Sequence, residues 1–139
     1  MSTQTRTRYT SPQAATIAGV SYRQLDYWIR AGLITLLHPG RGGSGNHRSL
    51  TRREVMLTAC VARVMAIRSD TIGARRLWDF LDAIADVDDW PDVVLISPDG
   101  VHTLDSPTED GVYVALRSVI RRVLAETRED RQVRYAAAG

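Results

Sequence analysis

The segment from Ser21 to Gly32 constrains the fold of this chain most, because it has the complete pattern of a short capped helix. Ser21 is a favoured N-cap residue, Gly32 is a favoured residue just past a helix end, and no glycine or proline lies between them. Leu25, Trp28 and Ile29 have the i, i+3, i+4 spacing of a helix face that packs on a core. The segment therefore predicts an amphipathic helix that other elements must cover.

The opposite face of this predicted helix is polar, with the side chains of Arg23, Gln24, Tyr27 and Arg30. Arginine and glutamine have paired hydrogen-bonding groups that fit the major-groove edges of guanine and adenine. An ordinary surface helix with a few arginines is the alternative interpretation. The neighbouring segments favour nucleic-acid binding.

Charge is distributed unevenly along the 139 residues, although the formal total is only +2. Through Arg68 the chain has ten arginines and two acidic residues, a balance of +8. From Ser69 onward it has eight arginines and fourteen acidic residues, a balance of −6, and the two balances together give the total. A basic first half beside an acidic second half is expected when one half contacts a polyanion.

Composition excludes several classes of protein. No apolar run approaches the ~20 residues that span a bilayer, and the first ten residues lack the apolar run of a signal peptide. We therefore expect a cytoplasmic, nucleoid-associated protein with no membrane partner. Cys60 is the single cysteine and the three histidines are scattered, so no disulfide, metal or other cofactor is expected. No nucleophile and base fall into a recognisable catalytic arrangement, so we expect no enzyme.

A second short helix is predicted just before the first one. Ser11 is a suitable cap, Pro12 suits the first helical position, and an alanine-rich stretch follows until Gly19. Two short helices joined by a glycine-containing turn predict a helix-turn-helix. A generic tight pair of helices is the alternative.

A glycine-rich hairpin is predicted after these helices. Residues 33–37 form its first predicted strand, residues 46–50 its second, and four glycines occur in the tip at 38–45. A phosphate-binding loop is not favoured, because no Gly-Lys-Ser/Thr follows. The basic residues of this segment instead predict a basic wing on the helix-turn-helix, and they are Arg41, His47 and Arg48. A disordered loop is the alternative.

Two more helices and an acidic loop are predicted next. Thr51 and Glu54 form a capping box at the start of an apolar helix, in which Cys60 is interpreted as a small core residue and not as a redox or metal-sensing group. An amphipathic helix is predicted from about Ser69 to about Ala85. Residues 86–92 lack the pattern of a calcium loop and predict a solvated loop.

The C-terminal part predicts a β-hairpin and a helix. Val93–Ser97 and Val101–Leu104 flank a Pro-Asp-Gly turn. The first of these strands is apolar on both faces, so both faces must be covered. We expect helices to cover one face and a partner chain to cover the other. A helix is predicted from about Val112 to Glu126, and residues 128–139 are predicted to be frayed.

Three segments resemble, in order, the MerR-type winged helix-turn-helix regulators. They are Tyr9-Thr10 with the alanine-rich helix, residues 19–34, and residues 48–55. The resemblance covers roughly residues 9 to 84, and the stretch Ser-Tyr-Arg-Gln-Leu-Asp-Tyr-Trp is most similar to actinobacterial regulators, with a phage-like variant as the other possibility. It implies that the second helix enters the major groove, with Arg23 and Gln24 at base edges, and that the wing lies on the backbone. The DNA-binding set that the resemblance implies is Ser21, Tyr22, Arg23, Gln24, Tyr27, Arg30, Arg41, His47 and Arg48.

The sequence departs from this family in three ways. Asp26 stands where many members have an arginine, and we expect it to pair with Arg30 four residues later. Leu50 replaces the usual tyrosine. No long heptad helix follows, because Trp90-Pro91 and the hairpin intervene, so the family's antiparallel coiled-coil dimer does not follow from this sequence.

These features together predict an α+β, mainly helical fold. A winged helix-turn-helix domain is expected at 9–68 and a C-terminal α+β domain for dimerisation or effector binding at 69–127, with tails at 1–8 and 128–139. The predicted function is sequence-specific binding of double-stranded DNA by a homodimeric transcription regulator, with RNA polymerase as a further partner. An excisionase or recombination directionality factor is the first alternative, and a protein-binding adaptor is the second.

Overall fold

The structure is a computed structural model that describes residues 8–40, 48–104 and 110–138, and for 128–138 it describes only the course of the helix. Within these ranges the chain contains five α-helices, a short 3₁₀ helix and two small antiparallel sheets. The predicted α+β, mainly helical class is therefore confirmed.

The first two helices are α1, Ser11–Ala18, and α2, Tyr22–Arg30. Gly19 ends α1 with φ of 83°, a conformation that costs glycine little, and the chain turns there into α2. The predicted helix-turn-helix is thus present. The N-cap of α1 is Thr10 and not Ser11 as predicted. Thr10 Oγ1 accepts a hydrogen bond from the Gln13 amide, and the Thr10 amide donates to Gln13 Oε1, which completes a capping box.

The predicted strand at residues 33–37 is wrong. The amides of Leu33 and Ile34 both donate to the Trp28 carbonyl, at 2.9 and 3.2 Å. Arg75 donates to the Leu33 carbonyl at 3.2 Å. These backbone groups are bonded to a helix end and a distant side chain, so the segment needs no strand partner.

The strand that follows the wing is β2, Ser49–Thr51, and it pairs with β1, Arg8–Thr10. Among the described residues only an isolated bridge, from His38 to Ser49, joins it to the segment that enters the wing. The predicted second strand thus has a different partner from the one expected. Two residues predicted to bind DNA, Arg41 and His47, lie in the segment 41–47, outside the described residues.

The central helix is α3, Arg52–Ile67, and its predicted capping box between Thr51 and Glu54 is present. Cys60 is buried in it, as predicted, and burial raises the pKa of its thiol to about 12. Asp70 caps the next helix, α4, Thr71–Asp82, which packs along α3 and ends slightly before the predicted position. Within the acidic segment that follows, residues 87–89 form the 3₁₀ helix.

The second sheet has the order β4-β3-β5, with β3 at Val93–Ser97, β4 at Gly100–Thr103 and β5 at Val112–Ala115. The predicted hairpin is therefore present. The predicted helix start at Val112 is wrong, because residues 112–115 alternate between the two faces of the sheet and pair with β3. Val94 and Leu95 point to opposite faces of β3, and both are buried within the single chain without the partner that we expected.

The last helix is α5, Arg117–Ala138. It continues past the predicted end at Glu126, so the predicted frayed tail is wrong for residues 128–138. The segment has no glycine or proline before Gly139 and is rich in Arg, Glu, Gln and Ala, which have high helix propensity.

One hydrophobic core connects both halves of the chain, and it includes Leu25, Leu57, Leu77 and Leu116. Helix α3 lies at its centre, in contact with α1, α4 and α5. The division of the chain at residue 68 remains a prediction, and the two segments that it separates share this core. No helix in the described part of the chain combines the length and apolar character needed to cross a bilayer.

Candidate nucleic-acid interface

Helix α2 turns its polar face outward and its apolar face inward. Leu25 and Trp28 are buried and Ile29 is half-buried. Six residues predicted to bind DNA are exposed at or near its solvent side, and they are Ser21, Tyr22, Arg23, Gln24, Tyr27 and Arg30. Tyr22 and Tyr27 are 51% and 63% exposed, which is unusual for large rings without a partner surface.

A capping box fixes the first turn of α2 and involves one of the predicted base-reading residues. The Gln24 amide donates to Ser21 Oγ at 3.0 Å. In return the Ser21 amide donates to Gln24 Oε1 at 3.2 Å. Both members of the box are therefore bound to each other in the protein without DNA.

This arrangement changes the expectation for Gln24. A glutamine that reads adenine uses its amide oxygen and its amide nitrogen together. Gln24 Oε1 already accepts from the Ser21 amide, so a base contact would compete with the cap for this side chain. Arg23 is exposed and is the stronger candidate for a base contact. The Ser-x-x-Gln spacing that gives this box is visible in the sequence, like the Thr-x-x-Glu spacing of Thr51 and Glu54.

Asp26 makes the contact that the sequence predicts. Its Oδ2 lies 2.9 Å from Arg30 Nη2, one helical turn away. The Arg30 side chain remains 72% exposed, so its guanidinium still faces solvent on the outer side of α2.

Arg48 has a different environment from the one predicted for a wing residue. Its side chain is only 11% exposed, and its Nη2 donates to Asp26 Oδ1 at 2.5 Å. Its Nε donates to Ser11 Oγ at 2.9 Å. Arg48 is thus bound between α1 and α2, and two of its five N–H donors are used there. Nothing local in the sequence predicts this contact, because Asp26 and Arg48 are 22 residues apart.

The hydrogen bond from Arg48 lowers the pKa of Asp26, and the charges of Arg30 and Arg48 act in the same direction. Partial burial opposes them by disfavouring the charged carboxylate. The net effect is a lowered pKa, so Asp26 is ionised at neutral pH.

Glu54 holds the two ends of the wing segment together. It is 5% exposed. Its Oε1 accepts from the Thr51 amide and its Oε2 from the Leu37 amide, each at 2.8 Å. The predicted cap is one of these contacts. The other ties the entry of the wing to the start of α3 and was not expected from the sequence.

The comparisons with known proteins agree with this geometry. Residues 9–59 match the model of the family described as MerR HTH family regulatory protein. Uncharacterized HTH-type transcriptional regulators of Mycobacterium bovis and Mycobacterium tuberculosis are each 37% identical over 57 residues. The matched segment covers 41% of this chain and 25% of each relative, so this chain matches about a quarter of the length of these curated relatives.

The matched segment begins at Tyr9 and ends within α3, and it includes α1, α2, the wing segment and the capping box of α3. It therefore contains the exposed face of α2 and the contacts that fix it. Residues 9–59 of this chain are a MerR-type helix-turn-helix domain.

Proposed function

We propose that this chain is a transcriptional regulator that binds double-stranded DNA sequence-specifically, with α2 in the major groove. The observation that carries the proposal is the exposed, arginine- and tyrosine-bearing face of α2 in a domain that matches MerR regulators. Exposed arginine at the start of a recognition helix is the residue best suited to guanine.

The proposal assigns distinct roles to the exposed residues. Arg23 contacts a base edge, and Tyr22, Tyr27 and Arg30 contact phosphates on either side. Arg41 and His47 supply the backbone contacts of the wing. Ser21 and Gln24 shape the first turn of α2, and that role is supported by their capping box.

A homodimer formed through the C-terminal half is the second part of the proposal. A dimer would present two copies of α2 to a two-fold symmetric operator. Two exposed apolar residues on or beside the C-terminal sheet, Leu104 and Tyr113, are 51% and 57% exposed and support this placement. RNA polymerase is a further proposed partner, reached by the protein once it is bound at a promoter.

Selection of bound sequences from random duplex DNA, followed by footprinting of the best sequence, tests the proposal. An inverted repeat supports the dimeric regulator. Direct repeats that fill cooperatively would contradict the symmetric dimer and favour an excisionase-like role. Absence of enrichment, together with absence of salt-dependent binding, would overturn DNA binding. It would favour a protein-binding adaptor that uses the acidic second half of the chain.

A further inference from the structure

We propose that Asp26, Arg48 and Ser11 form a lock that sets the position of α2 relative to the base of the wing, and that Asp26 and Arg48 are therefore positioning residues for sequence recognition. This inference rests on the proposed function. We call these three residues and the two hydrogen bonds that join them the lock.

The lock joins three separate elements through one side chain. Ser11 is the first residue of α1, Asp26 is in the middle of α2, and Arg48 directly precedes β2. Arg48 uses Nε for Ser11 and Nη2 for Asp26, so two different nitrogens of a rigid planar group are held. Such a contact fixes direction as well as distance. Lysine cannot reproduce it, because its ammonium is a single point of charge.

Burial gives the lock its strength. The side chain of Arg48 is 11% exposed and that of Asp26 is 23% exposed. Removing Asp26 leaves the largely buried Arg48 charge without its carboxylate, which is more costly than losing an exposed pair. Removing Arg48 leaves Asp26 with Arg30 as its ion-pair partner. The conformation in which α2 and the wing base are held together is thus strongly preferred.

Because Asp26 is negatively charged, removing its charge distinguishes a positioning role from a direct electrostatic effect on DNA affinity. Asp26 lies on the helix that we place against DNA, where a carboxylate repels phosphates. If electrostatics alone governed affinity, Asp26→Asn would strengthen binding to every sequence. If the lock positions α2, the same substitution weakens binding to the selected sequence and spares binding to unrelated DNA.

The test measures affinity of the full chain for its selected duplex and for an unrelated duplex, each at several salt concentrations. The variants are Asp26→Asn, Arg48→Gln and the double variant. Asp92→Asn is the matched control, because Asp92 makes an exposed pair with Arg117 at the start of α5. We expect each single variant to lose roughly tenfold in affinity for the selected duplex. Asp26→Asn leaves the largely buried Arg48 charge without its carboxylate, and Arg48→Gln leaves Asp26 paired with the exposed Arg30 alone. The affinity of the double variant for the selected duplex should be no lower than that of the single variant that binds more weakly. The control should bind with the affinity of the parent.

Two outcomes would overturn the lock. Unchanged or higher affinity of Asp26→Asn for the selected duplex is the first. The second is an equal loss from Arg48→Gln in the presence and absence of Asp26, with a salt slope lower by about one unit, as for a phosphate contact. Ser11→Ala removes one hydrogen bond only and provides a milder variant if Arg48→Gln fails to fold. It should lose affinity in the same direction, and no loss would count against the lock.

Failure of the proposed function is distinguishable from failure of the lock. If the parent protein shows no salt-dependent DNA binding, the proposed function is wrong. The lock is then decided by urea unfolding of the parent, the two single variants and the double variant, in which the effects of Asp26→Asn and Arg48→Gln should be strongly non-additive. Additive effects would show that the two side chains do not act together.

Discussion

Arg23 and Arg48 belong to the same helix-turn-helix domain but have opposite surroundings. Arg23 is exposed, whereas the guanidinium of Arg48 is bound to Asp26 and Ser11. The exposed side chain of Arg23 is accessible to a ligand, whereas Arg48 directs two of its N–H donors to groups within the protein. Burial therefore separates the arginine that is available to DNA from the one that shapes the site.

The first prediction concerns Arg23. Replacing it with alanine should cost ~1–3 kcal/mol in binding to the selected duplex and relax the preference at one base pair. Arg121→Ala is the control, because Arg121 is exposed on α5 and its loss changes the net charge equally. Competition binding against single-base variants of the duplex provides the measurement. Equal weakening on all sequences would remove Arg23 from base recognition.

The second prediction concerns the pH dependence of stability at Asp26. Because the pKa of Asp26 is lowered in the folded protein, mainly by the hydrogen bond from Arg48, its stabilising effect is present above the ordinary value of about 3.9. It is lost as the pH falls through the lowered value. The free energy of unfolding of the parent should therefore exceed that of Asp26→Asn by a constant amount from pH 7 to about 5, and the gap should shrink below about pH 4. Urea unfolding at each pH measures it, and a gap that widens in acid would contradict the assignment.

At the level of residues, the sequence predicts exposure better than it predicts partners. The polar and apolar faces of α2 follow from spacing alone, and the Asp26–Arg30 pair follows from its i,i+4 separation. The partners of Arg48 depend on how two helices and a strand meet, and no local pattern encodes that meeting.

Capping boxes define the starts of three helices, those of α1, α2 and α3. All three use a threonine or serine followed three residues later by glutamine or glutamate. At α2 the box occupies Gln24, which otherwise resembles a base-reading residue. Substitution of Gln24 can therefore distinguish its contribution to the stability of α2 from a contribution to base recognition.

The third prediction makes that separation. Gln24→Glu preserves the capping box, and a negative charge suits a helix N-terminus, so the unfolding free energy should stay close to that of the parent. Gln24→Ala removes the side chain from the box and should cost a few tenths of a kcal/mol to ~1 kcal/mol. Thermal unfolding followed by circular dichroism compares the two. Equal losses from both substitutions would show that the box contributes nothing.

Arg53 has a comparable role at the other end of a helix. It donates to the carbonyls of Leu81, Asp82, Ile84 and Ala85 near the C-terminus of α4. Its guanidinium also lies 5.5 Å from the centre of the Trp90 ring. The last carbonyls of a helix have no partner within it, and this arginine from α3 satisfies them.

The fourth prediction follows from this contact. Arg53→Ala should cost about 2 kcal/mol of unfolding free energy, since it removes four hydrogen bonds to carbonyls at the end of α4. The Leu81 and Ile84 carbonyls keep one partner each, the Ile84 amide and the Trp90 indole N–H. Arg53→Lys should recover only part of the loss, because one ammonium cannot reach all four oxygens. The control is Arg63→Ala on the exposed side of the same helix, which should be nearly neutral. Urea unfolding provides the measurement, and equal stability of Arg53→Ala and Arg63→Ala would contradict this role.

The elements predicted correctly are those with local signals. Caps and apolar spacing locate α2, α3 and α4, and the Pro-Asp-Gly turn locates the C-terminal hairpin. Residues 33–37 and 112–115 were predicted wrongly because contacts with distant parts of the chain decide their conformation. The first segment is held by Trp28 and Arg75, and the second by pairing with β3.

At the scale of the whole molecule, the two halves share one core, and each of the three tryptophans lies within it. Trp28 is in α2, Trp78 is in α4, and Trp90 follows the 3₁₀ helix, and all are 5% exposed or less. Helix α3 has apolar contacts with helices from both halves. We therefore expect the folding of the MerR-type segment to depend on the residues that follow it.

The fifth prediction tests this dependence. Deleting residues 69–139 exposes the side of α3 that Leu77, Leu81, Leu116 and Val123 cover, so the remaining chain should show no cooperative unfolding. The full chain should unfold in one transition that coincides for tryptophan fluorescence and far-ultraviolet circular dichroism. A cooperative transition of the shortened chain would establish residues 9–68 as an independent domain.

The contact between Arg122 and α1 has a mechanical consequence. From α5, its Nη1 donates to the Ile17 carbonyl at 2.6 Å, at the end of the helix that leads into α2. A shift of α5 along its axis by one residue is ~1.5 Å, more than a hydrogen bond tolerates. A partner that binds the far end of α5 and shifts the helix would therefore break the Arg122–Ile17 hydrogen bond and change the contact between α5 and the end of α1, just before α2.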